Sequence, residues 1–480
     1  MKLNGTIPYR EVSFRDTFPG IADLTNIKFQ APNSNKISRE SFLRKKKRFL
    51  AALVANWQGE IYNLEGYAAA GMAGNQLVPL EPENTLGLPF GSELMFLPDR
   101  VPVLLNLRSG RFEQVATDPY RRGAPVFPVA AFNSPGYVVR WISAYAERDN
   151  AGHLPLFSYG AVGWHHGGYR SAVFRVDRER RQDLRLMPAE AVKAGVRTKR
   201  RQMPGNRLRE HLETCALVYG CPAAKNFFLG RCEAPLPTSQ RCNARCRGCL
   251  SHQRDSGIPH SQNRIDFTPT SKEITAVALA HLRQVKRGVV SFGQGCEGDP
   301  LLAVDVIAPA IRSIRAATGR GTINVNTNGS RPAALHLLMD AGLDSIRISL
   351  NSVREDFYNV YFRPGGYRFS DVVAGIDLAL RRRVHVAINY LNLPGFTDTP
   401  EEVAALTHFL RQHPVQMIQW RNLNFDPMRY WEMMKTIKAH GNPLGMKAVF
   451  EEVRCGFPRM RHGYFNPPKE KFSEPYQPPS

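Results

Sequence analysis

From about Glu233 the chain alternates short apolar strand-like runs with amphipathic helical runs, and this alternation limits its fold more than any other feature. Thr270-Ser271-Lys272-Glu273 is a capping box that opens a helix carrying Ile274, Val277, Ala280 and Leu282, and the strand Val289-Val290-Ser291-Phe292 follows. A helix around 304–316 leads to a strand at 322–326, a helix around 332–341 to a strand at 345–350, and a helix through Val373, Ile376 and Leu380 to a strand at 384–390. Thr399-Pro400-Glu401-Glu402 then opens a helix ending near His413, before a strand at 417–420. Strands and helices in alternation with short loops make a parallel sheet with right-handed crossovers, because a parallel neighbour is reached by crossing one face of the sheet. Five or six such units suit a barrel or partial barrel.

In such a barrel, ligands sit at the carboxyl ends of the strands. The loops expected there hold the least ordinary residues of the chain. Arg241 to Leu250 contains Cys242, Cys246 and Cys249, three thiols within eight residues, a spacing that brings three sulfurs round one soft centre. A structural zinc ion takes four closed ligands and a ferredoxin-type cluster takes four cysteines, so three thiolates fit a cluster with one iron left open. After Phe292 comes Gly293-Gln294-Gly295-Cys296-Glu297-Gly298-Asp299-Pro300, whose glycines admit a ligand close to the backbone and whose carboxylates can hold an ammonium group. Thr327-Asn328-Gly329-Ser330 follows the next strand. The one after ends Arg347-Ile348-Ser349-Leu350-Asn351-Ser352, a cation, a hydroxyl and amides suited to a carboxylate and a ribose. An amine, a carboxylate, a ribose and affinity for an open iron together describe S-adenosylmethionine.

On these four motifs the stretch 233–426 resembles the radical S-adenosylmethionine (radical SAM) superfamily. The resemblance implies an α/β fold, a partial (β/α)6 TIM-like barrel of the radical SAM type. It also implies that Cys242, Cys246 and Cys249 bind a [4Fe–4S] cluster whose fourth iron is chelated by the amino and carboxylate groups of S-adenosylmethionine. Gly295, Glu297, Gly298 and Asp299 would receive the amino group, with Glu297 and Asp299 as alternatives for the family's acidic position; Asn328, Arg347, Ser349 and Asn351 would serve the carboxylate and ribose. Gly248 stands where the family commonly has an aromatic residue, so adenine packing comes from elsewhere. The implied activity is reductive cleavage of S-adenosylmethionine to a 5′-deoxyadenosyl radical that takes hydrogen from a substrate. The electron would come from a donor such as a flavodoxin or ferredoxin. The alternatives are an RNA-modifying radical SAM enzyme, and a non-catalytic iron–sulfur scaffold or protein maturation partner.

The remaining chain is read more coarsely. Residues 1–205 suggest an N-terminal α+β domain, with a basic helix over Ser38–Ala55 and a hairpin of strands 101–107 and 112–115 turning at Ser109-Gly110. Trp164-His165-His166-Gly167-Gly168-Tyr169 is a turn in preference to a ligand site, because neighbouring side chains on a strand point to opposite faces. Residues 206–232 form a connector whose Cys215, Cys221 and Cys232 lack a compact ligand spacing, so they are read as small buried residues; the alternative is an auxiliary cluster with Cys296 or Cys455. Asn389 to Asp398 is either an adenine shelf or an ordinary Pro-Gly turn, and Gln419, Arg421, Asn422 and Asn424 would face a substrate. Residues 427–480 hold a C-terminal helix and an extended, Pro-rich tail from Asn466.

Bulk properties agree with a large folded protein. Its 480 residues suit two or three domains, and eight cysteines are too few for a disulfide scaffold. Neither a secretory signal nor a membrane-spanning run is expected, which points to the cytoplasm. The net charge of +22 permits nucleic acid as a partner.

Overall fold

The computed structural model describes residues 48–121, 123–253, 257–437 and 441–474, all within the compact unit 37–480. Its amino-terminal part is an antiparallel sheet. Ala51–Ala55 lies at its centre, paired with Ile61–Ala68, Phe127–Phe132 and Gly160–His165. Here the structure corrects the helix expected over Ser38–Ala55: residues 38–47 lie outside the described set, and Ala51–Ala55 is a strand in which Ala52, Val54 and Ala55 are fully buried. A continuous apolar run buried on both faces has no period to separate strand from helix. The expected hairpin is present as Arg100–Asn106 against Phe112–Gln114. His165 pairs with Gly168 across a two-residue turn in which His166 and Gly167 have φ of 45° and 82°, so the paired histidines serve the turn.

Three helices follow, α1 (Ala189–Gln202), α2 (Arg207–Leu217) and α3 (Pro222–Leu229). Asn206 caps α2 by accepting from the Arg209 amide at 3.0 Å. The stretch read as a connector is therefore largely helical and buries Leu208, Leu212 and Phe227.

The carboxyl-terminal part is built on seven parallel strands: β1 (Glu233–Pro235), β2 (Val289–Phe292), β3 (Thr322–Thr327), β4 (Ser345–Leu350), β5 (His385–Asn392), β6 (Met417–Asn422) and β7 (Arg461–Gly463). The capping box before the first crossover helix, α4 (Ser271–Leu282), forms as expected, with Glu273 accepting from the Thr270 amide at 2.7 Å. Residue alternation separates two faces. Ile346, Ile348 and Leu350 are fully buried among apolar side chains such as Leu335, Ile376 and Ile388, each contributing about 1.5–3 kcal/mol. Ser345, Arg347 and Ser349 point the other way, into a polar lumen, where they bond Asn324, Gln419 and Asn389.

Two features of this barrel are absent from the sequence expectation. Strand β7 pairs with Met417–Gln419 and extends the sheet beyond six strands. The chain then crosses the amino ends of the strands: the Lys469 amide donates to Thr322 Oγ1 at 2.6 Å and Phe472 stacks on His385 at 4.1 Å. The tail from Asn466 is thus anchored as far as Glu474, and residues 475–480 lie outside the described set.

The antiparallel sheet docks on β6 and its loop. Asn422 accepts from the Val139 amide at 2.9 Å and donates to the Tyr137 carbonyl at 3.0 Å. Asn422, expected to face a substrate, is therefore a docking residue. A Cβ on Gly395 would stand 2.0 Å from the Gly74 nitrogen, so the 389–398 loop is a turn pressed against the sheet.

Candidate active site at the carboxyl ends of the barrel strands

The cysteine loop follows β1 and is held by helix α5 (Glu355–Phe362). The Arg245 and Arg247 amides donate to the Phe362 and Tyr361 carbonyls, each at 3.0 Å, and the Gly365 amide donates to the Asn243 carbonyl at 2.7 Å. Cys242, Cys246 and Cys249 are half-buried free thiols. Burial, reinforced by Asp299, pushes the Cys242 thiol up to about 12; burial and the other two thiols push Cys246 well above its ordinary value. Arg264 reaches Cys249 Sγ at 3.4 Å. Cys242 and Cys246 therefore keep their protons at neutral pH unless metal charge replaces them. Three soft donors on one loop, with Cys249 and Cys242 both disfavouring ionisation of Cys246, are the residues here that could hold an iron–sulfur cluster, and they fit one.

Gly248 is closely packed. A Cβ on Gly248 would lie 2.6 Å from Tyr361 Oη and 3.0 Å from the Asn424 carbonyl. Tyr361 thus occupies the space beside the loop. Its ring comes from α5, and nothing in the local sequence around 248 signals it.

The glycine-rich loop after β2 lies directly on the cysteine loop. The Asp299 amide donates to the Arg241 carbonyl at 2.9 Å, and a Cβ on Gly298 would meet that carbonyl oxygen at 1.9 Å, which excludes any larger residue. The carboxylates expected to receive an amino group have other partners. Glu297 accepts four backbone amides, from Thr238 (2.7 Å), Ser239 (2.9 Å), Gly293 (2.6 Å) and Gln294 (2.8 Å). Asp299 accepts from the Leu301 and Asn328 amides at 3.0 and 2.7 Å and from Thr327 Oγ1 at 2.8 Å. Both are buried, and both shape the loops. A Cβ on Gly295 would meet Gln262 Nε2 at 2.7 Å.

Asn328 joins the third loop to the first, donating to Asn243 Oδ1 at 2.8 Å. Arg347 and Ser349 stand in the lumen. Asn351 does not join them: it is fully buried and donates to the Phe357 carbonyl and Tyr430 Oη at 3.1 and 3.0 Å. It sits past the strand end, where alternation no longer aims a side chain inward.

The lumen also holds two arginines. Arg347 Nη1 donates to Gln419 Oε1 at 3.1 Å and Arg421 lies 3.8 Å over the Tyr464 ring, while the buried Nε of each has no hydrogen-bond partner. Burial, together with Arg421, lowers Arg347 to about 9. The two guanidinium groups lie close enough for Arg421 to lower Arg347, against the opposing pull of the Glu233 carboxylate.

Residues 236–409 match the sequence model of the Radical SAM superfamily. The barrel is a radical SAM domain. Domains of this superfamily use a [4Fe–4S] cluster and S-adenosylmethionine. The chain is 29% identical over 222 residues to a GTP 3′,8-cyclase of Lactiplantibacillus plantarum, covering 46% of this chain and 60% of that one. It is 28% identical over 181 residues to molybdenum cofactor biosynthesis protein 1 of Drosophila melanogaster, covering 37% and 29%. The chain thus spans less than two thirds of the length of these relatives. A solved structure of HydG, a maturase of the [FeFe]-hydrogenase, is similar with a TM-score of 0.36 and 16% identity over 60% of this chain and 69% of that one. Among the described residues, no helix is long and apolar enough to cross a membrane.

Proposed function

We propose that this chain is a radical SAM iron–sulfur enzyme that reductively cleaves S-adenosylmethionine to a 5′-deoxyadenosyl radical and takes hydrogen from a substrate held in the barrel lumen. The convergence of three half-buried thiols beneath a glycine-rich loop carries the reading. Cys242, Cys246 and Cys249 would hold the cluster. The loops at Gly295–Asp299 and Asn328, with Ser349 on β4, would line the place of S-adenosylmethionine. When bound, the cluster supplies an electron and an open iron. The chain's own contribution is positioning and exclusion of water: Glu297 and Asp299 fix the loop, and Tyr361 covers the cysteine loop from outside.

The substrate of this proposal carries an anionic group. Arg347 and Arg421 present buried Nε donors that have no hydrogen-bond partner, and Glu233, the carboxylate that acts on Arg347, is itself held by Arg181 at 2.9 Å. The cyclase relatives are named for GTP, an anion, so GTP is the first probe. The electron donor would be an acidic flavodoxin or ferredoxin meeting Arg245, Arg363 and Arg368, which surround a depression of about 430 Å³ beside the cysteine loop. A reducing cytoplasm is the matching location. The net charge of +22 supports an RNA substrate as a second reading, which requires binding that weakens steeply with salt.

The test is anaerobic. Reconstituted chain with dithionite and S-adenosylmethionine should release 5′-deoxyadenosine and methionine, and Cys246→Ala should abolish both cluster and cleavage. An intact, reducible cluster that leaves S-adenosylmethionine whole would refute the enzyme reading. Addition of GTP should raise 5′-deoxyadenosine formation if GTP is the substrate, and Arg421→Leu should remove that response while the cluster still loads.

A further inference from the structure

The thiol at Cys296 is buried in the loop after β2, and helix α2 turns two further soft ligands toward it. His211 and Cys215 are four residues apart and so share one helix face. His211 Nε2 lies 3.4 Å from Cys296 Sγ and 3.5 Å from Cys215 Sγ, and the three ligand atoms all lie within 4.8 Å of one another.

These separations have a direct chemical meaning. A tetrahedral zinc ion with Zn–S near 2.3 Å and Zn–N near 2.0–2.1 Å holds its nitrogen and sulfur ligands about 3.5 Å apart. The two measured edges are those of such a tetrahedron. In a [4Fe–4S] cluster each cysteine binds a different iron, so its sulfurs stand further apart than the ligands of one ion. The set therefore suits a single ion better than the auxiliary cluster weighed from sequence. Cys221 is adjacent: its amide donates to the Cys215 carbonyl at 2.9 Å, and its thiol is close enough to raise the charge cost at Cys296. Cys455 is exposed, and Cys232 sits beside Arg181, so both stand apart from the set.

We propose that His211, Cys215 and Cys296, with Cys221 or a water as fourth ligand, form a zinc site separate from the iron–sulfur loop. Binding replaces the thiol protons with metal charge and releases them to solvent. The ion would clamp α2 to the loop that carries Glu297 and Asp299, so that the helical stretch before the barrel fixes the position of a cofactor-facing loop. This inference stands whether or not the chain cleaves S-adenosylmethionine.

The experiment uses the full chain with Cys242, Cys246 and Cys249 all replaced by Ser, so that iron and zinc have no competing thiol loop. Purified anaerobically and stripped with chelator, it is titrated with zinc, and separately with cobalt as a spectroscopic substitute. About one zinc per chain is expected, with thiolate-to-cobalt charge-transfer absorption and the intense ligand-field bands of tetrahedral cobalt. Cys215→Ser or Cys296→Ser should each lower occupancy at equal free zinc to about a tenth or less. His211→Cys keeps a soft ligand and should retain the ion with stronger charge-transfer absorption, which separates loss of a ligand from loss of the fold. A folded chain that binds no zinc, binding unaltered by Cys215→Ser, or a Cys215–Cys296 disulfide recovered from the anaerobic preparation would each overturn the site.

Discussion

Asn466 donates to Glu233 Oε1 at 2.9 Å and accepts from Gln419 Nε2 at 2.9 Å, so a residue beyond the last strand bridges the first and sixth strands inside the barrel. A sheet that does not close on itself leaves its polar lumen open at one end. The returning tail fills that end.

Asn466→Leu should destabilise the chain by about 1–3 kcal/mol, because it strands the buried Gln419 and removes a donor from the half-buried Glu233 carboxylate. The midpoint of urea denaturation reads this. Burial would raise the Glu233 carboxyl, but Arg181 with the Ser291 and Asn466 bonds outweighs it and holds the group below its ordinary value. A depressed carboxylate stabilises above the unfolded pKa, and that stability is lost as pH falls through the folded one. The variant should therefore lose most near neutral pH and least in acid.

Gly248→Ala should impair cluster loading, because its Cβ would meet Tyr361 Oη at 2.6 Å and the Asn424 carbonyl at 3.0 Å. Iron per chain after reconstitution is the measurement, with a loss of about half or more expected. Adding Tyr361→Phe removes the nearer contact and should restore part of the iron. No recovery in the double variant would place the obstacle at Asn424.

Burial pushes the Glu297 carboxyl up to about 7 against the pull of its four amide donors. With the folded pKa raised, the stability this group supplies is complete below the unfolded carboxylate pKa and is lost as pH rises to about 7. Glu297→Gln is neutral throughout. The stability of the native chain relative to this variant should fall across that window and level off above it; a flat difference would mean that the amides, not burial, control the group.

Arg100 joins the antiparallel sheet to the barrel, reaching Glu147 at 2.8 Å and the fully buried Asp426 at 3.3 Å. Arg100→Met leaves the buried Asp426 without a cation at salt-bridge distance and Glu147 with Arg429 alone, 3.8 Å away, and should cost about 3–5 kcal/mol. Limited proteolysis should then cut the amino-terminal sheet before the barrel. Arg100→Met with Asp426→Asn should regain part of the loss, and equal stability of the two variants would show that the isolated charge is not what matters.

Local features were legible and distant ones were not. The Thr270 capping box, the crossover strands and the turn at His166-Gly167 each depend on a few consecutive residues. Ala51–Ala55 is a strand whose sequence does not show it, because a run buried on both faces has no alternation. Asn422 was read as substrate-facing because strand ends often are, yet its partners Tyr137 and Val139 belong to another sheet. Glu297 and Asp299 kept their expected place but not their expected partners, since the amides that surround them come from three separate loops.

By itself the sequence determined the alternating barrel and the three thiols of the cysteine loop, because both are written in spacing along a single stretch of chain. The tertiary structure alone decided that Tyr361 packs beside Gly248, that Arg347 and Arg421 share a lumen, that Asn466 bonds across it and that His211 and Cys215 meet Cys296. Each of these joins residues far apart in the chain. Their meeting depends on strand register and helix packing, which no local pattern of residues encodes.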